Sequence, residues 1–79
     1  QFTFELNLTA DITLAIFTLG GRKIMEFIPT EYTSGYHTID WNGNDAFGGQ
    51  LANGVYLYRI QAEANGKKVS SIGRIAKFR

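Results

Sequence analysis

The densest run of side-chain oxygens in the chain is Asp40-Trp41-Asn42-Gly43-Asn44-Asp45. Hard cations such as calcium bind where several oxygens gather on a tight turn. An EF-hand loop counted from Asp40 needs glycine at its sixth position and a bidentate glutamate at its twelfth, but Asp45 and Leu51 stand there. That reading fails. A looser calcium site using Asp40, Asn42, Asn44 and Asp45 stays open, beside the alternative that these residues close Asx turns on their own backbone. His37 is the single histidine. A general base must reach the proton it removes. Ser34 and Asp40 lie near it in sequence, but nearness along a strand does not build a triad. Gly43, Gly48, Gly49 and Gly54 are followed by no Lys-Ser/Thr pair and no helix, so they read as turn glycines and not as a phosphate loop. With no cysteine, thiolate nucleophiles, thiolate metal sites and disulfides are excluded. The chain is therefore expected to be non-catalytic and to need no cofactor.

Two further features bear on partners. Trp41, Tyr32, Tyr36, Tyr56 and Tyr58 are ring systems that stack on sugars or bases when exposed, but Trp41 alternates with Ile39 and is expected in the core. Nucleic acid and small-molecule substrates are not expected partners. The net charge of +1 hides an asymmetry. Residues 1–50 hold Arg22 and Lys23 against six acids, whereas residues 51–79 hold Arg59, Lys67, Lys68, Arg74, Lys77 and Arg79 against Glu63 alone. Such an imbalance marks an interaction strand or tail, unless the charges only keep two strands solvated. Lys67, Lys68, Arg74, Lys77 and Arg79 are taken as the candidate partner-binding residues.

The elements that must carry these residues read as β throughout. Phe2-Thr3-Phe4-Glu5-Leu6-Asn7-Leu8 alternates strictly, as a half-buried strand does. Ile12 to Phe17 is apolar on both faces, as a central strand would be. A turn at Leu19-Gly20-Gly21-Arg22 leads into a strand from Lys23 to Ile28, which Pro29 ends by removing a donor. Thr30 to Gly35 reads as a polar loop. Tyr36 to Trp41 is a strand with His37, Ile39 and Trp41 on one face. Val55 to Ala64 is an apolar late strand. Asn65-Gly66 signals a two-residue type I′ hairpin. Val69 to Phe78 alternates poorly and suits an edge. The expected core is Phe4, Leu6, Leu14, Ile16, Ile39, Trp41, Val55 and Leu57. No segment has helical periodicity. Six to seven short, mainly antiparallel strands at this spacing suggest a two-sheet, immunoglobulin-like β-sandwich.

Seventy-nine residues make a single domain with one thin core, burying roughly 60–65% of the surface of the unfolded chain. No apolar run approaches the ~18 residues of a transmembrane helix. The chain opens on Gln1 and enters strand alternation at once, so residues 1–79 are read as one domain excised from a larger protein.

An ordered set of motifs carries a resemblance. Ile12-Thr13-Leu14-Ala15-Ile16-Phe17-Thr18-Leu19-Gly20-Gly21-Arg22-Lys23-Ile24 resembles the hairpin of FlgD-like immunoglobulin-fold domains. Gly35 to Asp45, with Gly48 and then Leu51-Ala52-Asn53-Gly54-Val55-Tyr56-Leu57-Tyr58-Arg59-Ile60, is similar to the second half of the same family. The spaced Trp-Asn-Gly-x-Asp and Gly-Val-Tyr motifs are its specific part. Arg74-Ile75-Ala76-Lys77-Phe78-Arg79 looks like the basic finish of the family's C-terminal sorting domains. The resemblance implies a C-terminal module that directs an exported protein through the type IX secretion system, from the periplasm to the outer membrane and cell surface. Its implied partners are protein components of that machinery. Self-association through an edge strand, giving a homodimer, is open to the same surface. The parent of such a domain can be an enzyme, a gingipain-like cysteine peptidase among them. Two other expectations stay open: a structural assembly module like the flagellar hook-capping domain, and a glycan-binding accessory domain of a secreted hydrolase.

Overall fold

The computed structural model describes residues 2–46 and 48–77. Within them the chain is all-β and forms seven strands: β1 (Phe2–Leu6), β2 (Ala10–Phe17), β3 (Lys23–Glu26), β4 (Thr30–Tyr32), β5 (Gly35–Ile39), β6 (Gly54–Ala64) and β7 (Lys67–Lys77). Every pairing is antiparallel. One sheet is the pair β1-β5; the other runs β3-β2-β6-β7, with β4 also on β2.

β2 is central because both its edges are used. β6 covers one edge from Asp11 to Phe17. On the other, β3 pairs with Ala15–Phe17 and β4 with Ala10–Ile12. Residues Thr30–Tyr32 are therefore a short strand, where a polar loop was expected. The eight-residue β2 outruns β3, and its remaining edge takes up Thr30–Tyr32 once Pro29, which has no N–H, has broken the run. Phe27 N–H still donates to Leu14 C=O at 2.8 Å, so the chain leaves this edge only at Ile28 and Pro29.

The core lies between the facing sides of the two sheets. β2 supplies Ile12, Leu14 and Ile16, all at most 2% exposed. Phe2 from β1 sits edge-on to Tyr58 of β6, with centroids 5.0 Å apart. This geometry suits the quadrupoles of two aromatic rings.

The register of β6 corrects part of the expected core. Ile16 lies opposite Tyr58, and Leu14 opposite Ile60. Directly paired residues share a face, so Tyr56, Tyr58 and Ile60 point inward. Val55, expected inside, is 44% exposed, and Tyr56 is 9% exposed. Leu57 shares the outer face and is half-buried. Val-Tyr-Leu-Tyr is apolar at both parities, so alternation alone cannot choose a face; the partner strand does. The Tyr56 hydroxyl meets its polar need by donating to Ala52 C=O at 2.6 Å.

The Asn65-Gly66 hairpin forms as expected, with φ of 54° and 76°. Both values are positive, as a type I′ turn requires. β7 is an edge strand, again as expected, and pairs with β6 from Gly54↔Lys77 to Ala64↔Lys67.

Gly73 faces Tyr58 directly across the ladder. A Cβ at Gly73 would come within 2.5–2.7 Å of the Tyr58 ring and hydroxyl. The ring thus lies over a strand position that only hydrogen can occupy, an aromatic–glycine pairing of a kind that pins register. Gly73→Ala should destabilise the chain by about 1–3 kcal/mol, as overpacking does. In a Tyr58→Leu background the same change should cost far less. Urea denaturation of the four proteins measures this, and additive costs would disprove the packing account.

Candidate docking surface

The five cations expected to bind a partner sit along β7, and the strand distributes them over its two faces. Successive side chains alternate. Lys67 and Lys77 share the face of Val69, Ser71, Gly73 and Ile75, while Lys68 and Arg74 share the opposite face with Ser70, Ile72 and Ala76. Lys67 and Lys77 are ten residues apart, or about 33 Å along an extended strand. A cluster in sequence is thus two dispersed rows in space. Arg79 lies outside the described residues.

Lys77 is spent on the fold. Its stem passes over Gly43, where a Cβ would approach the Lys77 Cε to 2.6 Å. Its ammonium donates to Leu51 C=O. Gly43 holds φ of 83°, a backbone state glycine adopts without strain. Lys67, Lys68 and Arg74 are exposed, and none makes an ion pair within 4 Å among the described residues.

The outer face of the large sheet is partly apolar. Ile72 is 70% and Val55 44% exposed, and Val55 pairs with Ala76, next to the Leu57↔Arg74 pair. Further in, the Arg59 guanidinium stacks over Phe17 at 5.4 Å, and Ala15 is fully buried between its partners Glu26 and Arg59. Toward β7 that cover ends.

The oxygen-rich loop after β5 is closed on itself. Asn42 Oδ1 accepts from Asn44 N–H at 2.9 Å, and Asp45 Oδ1 from Gly49 N–H at 2.8 Å. The first is an Asx turn, and the second closes a wider turn between residues four apart. Trp41 Nε1–H donates to Asn44 C=O at 2.9 Å while its ring meets Tyr56 edge-on at 5.9 Å. Among the described residues no three His, Asp or Glu side chains gather as a metal would require. The loop is also tied to both sides of the large sheet, by Ala46 N–H on Ile24 C=O (2.9 Å) and by Lys77 on Leu51 C=O. His37 donates from Nε2 to Thr33 C=O at 2.7 Å and packs against Phe4 and Tyr32. Of the rings considered for stacking on sugars, only Tyr36, at 75%, is widely exposed.

Lys77→Ala should therefore lower stability by about 1–2 kcal/mol through its lost hydrogen bond and stem packing. Lys68→Ala and Arg74→Ala should stay within about 0.5 kcal/mol, as exposed substitutions do. Equal losses in urea denaturation for all three would refute the distinction. Because Asn42 and Asp45 already serve the backbone, millimolar calcium should leave the melting temperature unchanged; a rise of several degrees would establish the loop as a cation site. No protein-family model, curated protein or solved structure matches the chain, and what this surface does is to be read from its own residues.

Proposed function

We propose that the chain is a non-catalytic sorting and docking module of an exported protein, an immunoglobulin-like sandwich whose last strand is read by an export machinery of the type IX kind at the outer membrane. The observation that carries this reading is the outer side of β7. An eleven-residue strand ends the large sheet with one edge unpaired among the described residues. It bears four cations and no acid. Its exposed Ile72 lies between Lys68 and Arg74 on one face. Unpaired edge N–H and C=O groups accept a partner strand, and side chains on that strand select which. An apolar anchor with a cationic rim is a common docking arrangement, in which the charges act mainly on specificity and association rate.

The same charges bear on the homodimer. Pairing β7 with its twin brings two acid-free cationic strands together, and the registers that set Lys or Arg opposite each other are destabilised. A partner carrying carboxylates fits better than a second copy. The sequence resemblance to type IX sorting domains supplies the identity of the machinery; the edge supplies a means of contact.

The test reverses Lys68 and Arg74 to glutamate together in the exported protein that carries this domain. Lys77 is left intact because it holds the fold. Arrival at the cell surface should fall sharply, with material accumulating in the periplasm, while the melting temperature of the domain holds. Normal surface arrival of the folded variant would overturn the reading.

A further inference from the structure

A groove of about 690 Å³ opens on the other side of β7, between it and β1. Along β1 it is lined by Thr3, Phe4, Glu5 and Leu6, of both parities, and just past the strand by Asn7 and Leu8, so it meets the strand at its edge and not on one face. Along β7 it is lined by Lys67, Val69 and Ser71, which are alternate residues of the inner face. Its floor is apolar, with Ile60 and Ala62 of β6 among the residues there. Val69, though on the inner face, is 69% exposed, and Leu8 49%.

The cause is a mismatch of widths. The small sheet has two strands, and the large one has four side by side. β1 crosses the inner face of the large sheet, with Phe2 on Tyr58 of β6 and Phe4 on Tyr32 of β4. Neighbouring strands stand about 4.8 Å apart. The groove is bordered by β1 on one side and by Lys67, Val69 and Ser71 of β7 on the other, so a strand added to the edge of β1 that is unpaired among the described residues would enter it.

We infer that this groove accepts one extended segment of another protein, about six residues long, which adds to β1 as a third strand. Its inward side chains are small and apolar, and a carboxylate at its amino-terminal end meets Lys67. The length follows from Thr3–Leu6, the part of β1 that lines the groove, with one residue beyond it at each end. The apolar inward positions follow from Ile60, Ala62 and Val69. The acid follows from Lys67, an inner-face cation at the hairpin end with no ion pair among the described residues. A segment antiparallel to β1 starts at that end, beside Leu8. Glu5 also borders the groove, but on the outer side of β1, where it faces the outward row of the added strand; that row is polar. Strand addition draws affinity from main-chain hydrogen bonds and specificity from alternate side chains. This site is independent of the outer face carrying Lys68 and Arg74, and each can fail without the other.

The test uses the 79-residue chain, labelled with ¹⁵N, and the peptide acetyl-Glu-Thr-Val-Thr-Val-Thr-Val-amide. Amide shifts should concentrate at Thr3–Leu8 and at Val69–Ser71. Replacing the peptide's glutamate by lysine should weaken binding about fivefold, the most one exposed ion pair usually supplies. Lys67→Glu should reverse that preference. Val69→Asp, checked for an unchanged melting temperature, should abolish binding. Shifts confined to other residues, or none at millimolar peptide, would overturn the inference. Equal binding of the glutamate and lysine peptides would overturn it as well. So would sedimentation as a dimer with Thr3–Leu8 amides already protected from exchange, since a second copy would then be the occupant.

Discussion

The pairing of β2 with β6 is the constraint on which the rest depends. It sets Leu14 opposite Ile60 and Ile16 opposite Tyr58, and so fixes the inner face of the large sheet. β2 alone does not say which of its faces is the core, because Ala15 is as buried as Leu14 and Ile16. Size separates them. An alanine is covered by the stems of its two partners, Glu26 and Arg59, whereas leucine and isoleucine need a second layer. That layer is β1-β5, held by Phe2 on Tyr58. The same Tyr58 ring demands glycine at position 73, so one pairing propagates from the centre of the sheet to its edge.

The loop between β5 and β6 closes one end of this core. Trp41 turns inward against Tyr56, Asn42 and Asp45 bond to the loop's own backbone, and Gly43 makes room for the stem of Lys77. Each member of the Trp-Asn-Gly-x-Asp pattern thus has a structural task. An oxygen-rich loop invites a metal reading, but oxygens that accept backbone N–H groups are already occupied in holding the turn.

The strands and turns were largely legible in the sequence, because strict alternation at Phe2–Leu6 and the Asn65-Gly66 pair are local signals. What was not legible depended on a partner. Thr30–Tyr32 is a strand only because β2 leaves an edge for it. Val55 lies outside and Tyr56 inside because β2 sets the parity of β6 and the apolar residues at both parities do not. The candidate site shows the same limit. Lys67, Lys68, Arg74 and Lys77 look alike in a list of charges, yet the alternation of β7 divides them. One of the four is built into the loop closure, a role that Lys77's distance from Leu51 in sequence conceals.

The division of β7 gives the strand two distinct chemical sides. Its outer face ends in exposed Ile72 with Lys68 and Arg74 beside it; its inner face ends in an uncovered groove with Lys67 at one end. Both follow from one economy of construction: a sheet of four strands side by side is covered by only two. A chain of this length cannot bury every face it builds, since the buried fraction is smaller the shorter the chain. The uncovered part is the β7 side, where Lys67, Lys68 and Arg74 make no ion pair within 4 Å among the described residues, although Glu63 stands opposite Lys68 in the ladder. Long unpaired edges are aggregation hazards that charge commonly guards. Here the guard is of one sign, and in the proposed reading that sign disfavours a second copy of the same strand and favours a partner of the opposite charge.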